Sequence, residues 1–95
     1  DGDELFLGTD KVKVIHTPGH TKGSICLLAD KYLISGDTLF EQSIGRTDFP
    51  GGSHTAIIDS IKNKLFILDD EVLVFPGHGF TTSIGLEKKN NPFIY

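Results

Sequence analysis

The sequence predicts a mixed α/β chain (α+β in some schemes): a mostly antiparallel sheet with helices on one face. Three observations predict it. Polar and apolar residues alternate along Lys11-Val12-Lys13-Val14-Ile15-His16, the period of a half-buried strand. Short apolar runs of strand length follow at residues 24–29, 32–35 and 72–75. Ahead of the last run, Ile57, Ile58, Ile61, Leu65 and Leu68 recur at helical spacing.

In chain order, residues 11–16 form the first strand. Residues 24–29 and 32–35 form a hairpin through Asp30-Lys31, a turn without the Gly or Asn that such turns favour. Residues 40–52 read as loop, with Gly45, Pro50, Gly51 and Gly52. Ser53 is placed to cap a helix of about three to four turns, with Asp59, Lys62 and Lys64 on its polar face. Asp69-Asp70 ends it. Residues 72–75 are a buried-type strand, 76–82 a loop and 83–89 one or two helical turns. Pro92-Phe93-Ile94-Tyr95 reads as an extended tail whose aromatics pack back onto the body. One long helix covers only part of one sheet face. The remaining apolar surface calls for another layer, from further sequence or from a partner.

At 95 residues the chain holds one domain at most. No apolar run approaches the ~20 residues needed to span a bilayer. Nine basic and 13 acidic residues give a net charge of −4, and no run of five like charges occurs. That composition excludes a nucleic-acid groove or an anionic membrane surface as the main partner. The single cysteine, Cys26, cannot form an internal disulfide, so the chain reads as cytoplasmic. The absence of methionine and the start Asp1-Gly2-Asp3 read as a piece of a longer chain.

Three places share one pattern. Val14-Ile15 leads through His16-Thr17-Pro18-Gly19 to His20; Ile34-Ser35-Gly36 leads to Asp37; Val74-Phe75-Pro76-Gly77 leads to His78. Each time a strand ends, a glycine turns the chain, and an imidazole or carboxylate follows. Such positions are rigidly held yet accessible. Strands sharing a sheet and a direction would bring His20, Asp37 and His78 together. Each residue alone is also an ordinary turn residue; the repetition is what points to a site. Two imidazoles and a carboxylate suit Zn²⁺, Mn²⁺ or Fe²⁺. They could hold one cation, or two about 3.5–4 Å apart bridged by the aspartate. Two cations want more ligands than three, which again calls for further sequence. His16 reads as a satisfied buried histidine, His54 as surface and Cys26 as core. Gly77-His78-Gly79 begins like a dinucleotide fingerprint, but Thr82 stands where the third glycine belongs.

These words resemble a family. His16-Thr-Pro-Gly-His20-Thr-Lys-Gly-Ser24, Gly36-Asp37-Thr38-Leu39-Phe40, Ser43-Ile-Gly-Arg46-Thr-Asp48-Phe-Pro-Gly-Gly52 and Phe75-Pro-Gly-His78-Gly79 are similar to the metallo-β-lactamase superfamily, in its glyoxalase II-like (hydroxyacylglutathione hydrolase-like) branch. The ending Thr82-Ser-Ile-Gly-Leu-Glu-Lys-Lys-Asn-Asn-Pro92-Phe93 resembles the same branch. The resemblance implies a four-layer αββα sandwich with a two-zinc site, iron or manganese being alternatives. His20 would bind the first metal, Asp37 bridge the pair and His78 bind the second. The family's His-x-His-x-Asp-His motif is absent, so residues 1–95 look like the C-terminal half of such a domain.

The implied chemistry is hydrolysis of a small-molecule thioester, a glutathione conjugate among the candidates, by metal-activated hydroxide. A thiolate, with a pKa near about 8.5, leaves without a general acid, and no side chain beyond the ligands is assigned a catalytic role. Thr21 and Thr38, beside the ligands, are either supporting donors or plain loop threonines. Arg46 is either a loop lock with Asp48 or a clamp for a substrate carboxylate. Lys88, with Lys89, either attracts an anionic substrate or lies on a solvated helix face. Leu86 stands where the branch often has a basic residue. Two other outcomes stay open. Gly45-Arg46-Thr47-Asp48-Phe49 also resembles persulfide dioxygenases, which use one iron. The 95 residues alone would form a metal-poor, inert half-domain that self-associates or awaits an N-terminal half.

Overall fold

The structure, a computed structural model, describes residues 2–8 and 10–94. Its elements are β1 (Glu4–Leu7), β2 (Asp10–His16), β3 (Ile25–Ala29), β4 (Tyr32–Gly36), β5 (Leu39–Phe40), β6 (Ser43–Ile44), α1 (His54–Ser60), a π-helical turn (Ile61–Leu65), β7 (Leu73–Pro76), β8 (Thr82–Ser83) and α2 (Ile84–Asn90). Six strands form one sheet in the order β1-β2-β3-β4-β7-β8, and β5 and β6 make a separate small hairpin. All pairs are antiparallel except β4 with β7. Among the described residues no helix is long and apolar enough to cross a membrane.

Alternation along the strands sorts side chains onto two faces. On one, Ile15, Cys26, Leu33 and Val74 are buried in a single cluster with Ile57, Ile61, Leu65, Phe66 and Ile84 from the helical segments. Cys26 belongs to this core. Burial pushes its thiol above the ordinary range, opposed by hydrogen bonds from Thr17 and Thr38. The opposite face carries a row that runs unbroken across four strands, Val14, Leu27, Ile34 and Phe75. Beside it, Tyr32 and Leu73 pair across β4 and β7. Ile34 is 52% exposed and Tyr32 49%, so this apolar face is open.

The predicted helix is shorter and less regular than its periodicity. Ser53 caps α1 by accepting from the Ala56 N–H at 3.1 Å, but after Ser60 the helix widens, and the Phe66 N–H reaches back to the Ile61 carbonyl at 2.8 Å. The extra residue in the turn places the consecutive pair Leu65 and Phe66 in the core. The turn at Asp30 works without glycine because aspartate tolerates the left-handed backbone, φ 53°. β1 and the β5–β6 hairpin appear where no strand is predicted. The tail is turned rather than extended, Ile94 is buried and Phe93 is 54% exposed. The isoleucine is therefore what packs back, and Tyr95 lies outside the described residues.

Candidate metal centre

Topology brings the three predicted ligands together. β2 and β4 each run antiparallel to β3, and β7 runs parallel to β4. The carboxyl ends of β2, β4 and β7 therefore point to one edge of the sheet. The Gly77 N–H donates to the Gly36 carbonyl at 2.8 Å, setting Asp37 and His78 side by side. The loop to His20 is held by α1. Ser60 Oγ donates to the Pro18 carbonyl at 2.8 Å, and the Ser53 N–H to the Gly19 carbonyl at 2.7 Å. Gly19 has φ +149° and lies so close to α1 that an added Cβ would meet Ile57 Cβ at 2.2 Å, so no larger residue fits.

The Asp37 carboxylate sits between the two imidazoles. Its Oδ2 lies 3.7 Å from His20 Nε2 and its Oδ1 3.8 Å from His78 Nδ1. His20 Nδ1 lies 2.8 Å from the Arg46 carbonyl oxygen. A carbonyl only accepts, so Nδ1 carries the proton, and in the neutral ring Nε2 turns a lone pair toward the carboxylate. Two acceptors facing each other repel unless a cation lies between them. A span of 3.7 Å exceeds a hydrogen bond but not the reach of two bonds of about 2.0–2.2 Å to one divalent ion. The donor set thus fits two cations sharing Asp37, one with His20 and one with His78. Among the described residues no group of three or more His, Cys, Asp or Glu side chains is arranged around a single cation. These three residues would supply part of each cation's ligand set, not a closed cage.

The three residues open into a cavity of about 580 Å³. Its walls are largely apolar: Phe40, Ile44, Phe49 and Phe80 line it. The Phe40 ring lies 4.6 Å from that of His78, and Phe49 meets His20 edge-on at 5.7 Å. Sequence reasoning passed over these rings. The available signal was spacing, since Phe40 and Phe80 follow Asp37 and His78 by three and two residues. Gly45 was also passed over. An alanine Cβ there would stand 1.8 Å from the Asp37 carbonyl oxygen.

Arg46 lines the cavity, but its guanidinium engages Asp48 through two hydrogen bonds of 3.1 and 2.9 Å and lies 4.5 Å over the Phe49 ring. Lys88 lies elsewhere, paired with Asp70 at 3.1 Å. Thr38 is buried, its hydroxyl 3.2 Å from that of Thr17, and the Thr21 hydroxyl meets Ser24 Oγ at 2.9 Å. None of these contacts is to His20, Asp37 or His78. His16 is half-buried, with Nε2 at 2.8 Å from the Lys22 carbonyl, and His54 is exposed at the start of α1.

Hydrogen bonding from Arg46 holds the Asp48 carboxyl below its ordinary pKa and raises that of the guanidinium. A depressed acid stabilises the fold above its unfolded value and loses that contribution as pH falls through its folded value. The clamp is therefore expected to open at a lower pH than that at which a free aspartate protonates. The Asp48 side-chain carbon resonance, titrated by NMR, checks this. The pair is exposed, so global stability should barely follow it.

The chain matches the metallo-beta-lactamase superfamily over residues 1–78. It is 43% identical over 96 residues to hydroxyacylglutathione hydrolase GloC of Haemophilus influenzae, covering 99% of this chain and 45% of that protein. The crystal structure of ETHE1 from Myxococcus xanthus superposes with a TM-score of 0.93 at 43% identity, covering 96% of this chain and 42% of that one. TTHA1623 in a di-iron-bound form superposes with a TM-score of 0.84 at 40% identity, covering 94% and 44%. The chain thus spans under half the length of these relatives. Strand ends that deliver two imidazoles around one carboxylate, and a sequence match running through His78, agree: the chain belongs to the metallo-beta-lactamase superfamily.

Proposed function

We propose that these 95 residues are the C-terminal half of a metal-dependent hydrolase domain, acting on small-molecule thioesters in the cytoplasm. The observation that carries the metal reading is the Asp37 carboxylate facing His20 on one side and His78 on the other. Bound there, divalent cations, zinc first among them, would polarise a carbonyl and lower the pKa of water toward neutrality. The chain's own residues do the rest. The Arg46 carbonyl fixes the His20 tautomer and ring. Phe40 and Phe49 pack against the two imidazoles and keep them oriented. Phe80 and Ile44 extend an apolar wall that accommodates the carbon skeleton of an acyl group. With Arg46 engaged by Asp48 and Lys88 turned to Asp70, the charged part of a glutathione conjugate would be met by residues of another layer. The open Val14–Leu27–Ile34–Phe75 row supports that layer, furnished by an N-terminal half or by a second copy.

The 43% identity to a hydroxyacylglutathione hydrolase favours the thioester reading. The likeness to ETHE1 favours a second one, an iron-dependent persulfide dioxygenase. Metal analysis of the full chain, with assays on S-lactoylglutathione and glutathione persulfide, separates them. Zinc with turnover of the first is the expected result. Iron with turnover of the second selects the alternative, and turnover of neither removes both.

A further inference from the structure

Among the described residues, one buried carboxylate lies outside the metal reading. Glu87, on α2, is 1% exposed. Its Oε1 accepts from the Gln42 N–H at 2.8 Å and from Asn91 Nδ2 at 2.9 Å; its Oε2 accepts from Thr82 Oγ1 at 2.5 Å. Asn91, four residues on and capping the end of α2, also donates from Nδ2 to the Ser43 carbonyl at 3.0 Å and toward the Phe40 carbonyl at 3.5 Å. The pair thus captures three backbone groups of the β5–β6 turn. That turn needs holding: Gln42 has φ 54°, a left-handed conformation that an L side chain adopts at a cost. On its other side the same hairpin presents Phe40, Ser43 and Ile44 to the cavity and sets the Phe40 ring over His78. Thr82, the third partner, begins the strand that follows the His78 loop.

We propose that Glu87, with Asn91, is the positioning device of the cavity. Bound to Gln42 and Thr82, it fixes the Phe40 wall relative to His78. It touches none of the three candidate ligands, and its effect travels through the hairpin backbone. The proposal takes the His20–Asp37–His78 cavity to be the working site, but its test follows the place of a ring and not catalysis.

A neutral isostere separates positioning from mere stability. In Glu87→Gln the amide oxygen can accept from Gln42 and Asn91, while the amide nitrogen donates to the Thr82 hydroxyl. Glu87→Ala removes all three bonds. The probe is the His78 ring-proton shift in the full chain, displaced upfield by the Phe40 ring, with Phe40→Leu defining the undisplaced value. Expected are loss of the displacement in Glu87→Ala and its retention in Glu87→Gln. A His78 signal at its wild-type position in Glu87→Ala overturns the proposal, even if the melting temperature falls. So does a Glu87→Gln signal that moves to the Phe40→Leu value. Should Glu87→Ala not fold, Asn91→Ala carries the same expectation. Hydrogen exchange on the wild-type chain needs no variant: a Gln42 amide exchanging as fast as a free one overturns the proposal, and a protected one supports it.

Discussion

Replacing Asp37 with alanine is expected to cut the affinity of the full chain for Zn²⁺ by at least about a hundredfold, and its hydrolytic activity with it. Loss of an outer partner of a metal ligand already costs about 10–100-fold, and Asp37 faces both imidazoles directly. Its side chain is 52% exposed, so the melting temperature should hardly change. Calorimetric titration of metal into the variant, alongside a thermal melt, checks both parts. Asp48→Ala is the control. It removes a carboxylate from the loop between the cavity residues Arg46 and Phe49, where Asp48 is hydrogen-bonded by Arg46, and should leave metal affinity within a few-fold. Wild-type affinity in Asp37→Ala would remove the bridge from the site.

Gly45→Ala should cost the fold itself. The added Cβ meets the Asp37 carbonyl oxygen at 1.8 Å and His20 Cβ at 3.3 Å. The first obstacle is backbone and cannot rotate aside. The hydrogen bond from the Gly45 N–H to the Thr38 carbonyl, 3.0 Å, has to break or stretch as the strands separate. Forced insertions into packed structure cost about 1–3 kcal/mol. In a domain this small each kcal/mol lowers the melting temperature by about 4–8 °C. The displacement also drives the loop away from both Asp37 and His20, so metal affinity should fall together with the melting temperature. A variant that melts like wild type and binds zinc as well would mean that the loops have slack the close approach does not suggest.

Much of this was legible in the residues because the strong signals are local. The alternation at 11–16 and the run at 32–35 fix which side chains face the core, and β2 and β4 follow them closely. The convergence of His20, Asp37 and His78 was legible because each stands within four residues of a strand end, and backbone geometry does not scatter such positions. What escaped notice depends on partners distant in the chain. Leu39, Phe40, Ser43 and Ile44 form a hairpin whose turn is hydrogen-bonded by Glu87 and Asn91, 45 and 48 residues further on. No periodicity within residues 39–44 records that. β1 begins in an acidic, glycine-punctuated stretch, and its pairing with β2 supplies the order its own residues lack. The widened turn after Ser60 keeps an apolar helical spacing, so the pattern alone reads as a longer α-helix. The histidine tautomer rests on a carbonyl contributed by Arg46, a residue that drew attention for its charge and not for its backbone.

The one parallel ladder also governs when the molecule can assemble. β1 through β4 are sequential antiparallel neighbours and can zip up through local connections. β4 has to wait for β7, because Leu33 pairs with Val74 and everything from β5 to the π-helical turn lies between them. Closing so long a loop costs entropy before any rung repays it. Asp37 and His78 stand at the end of that seam. Their meeting is thus expected late in folding, and during synthesis the aspartate leaves the ribosome well before the imidazole it is to face.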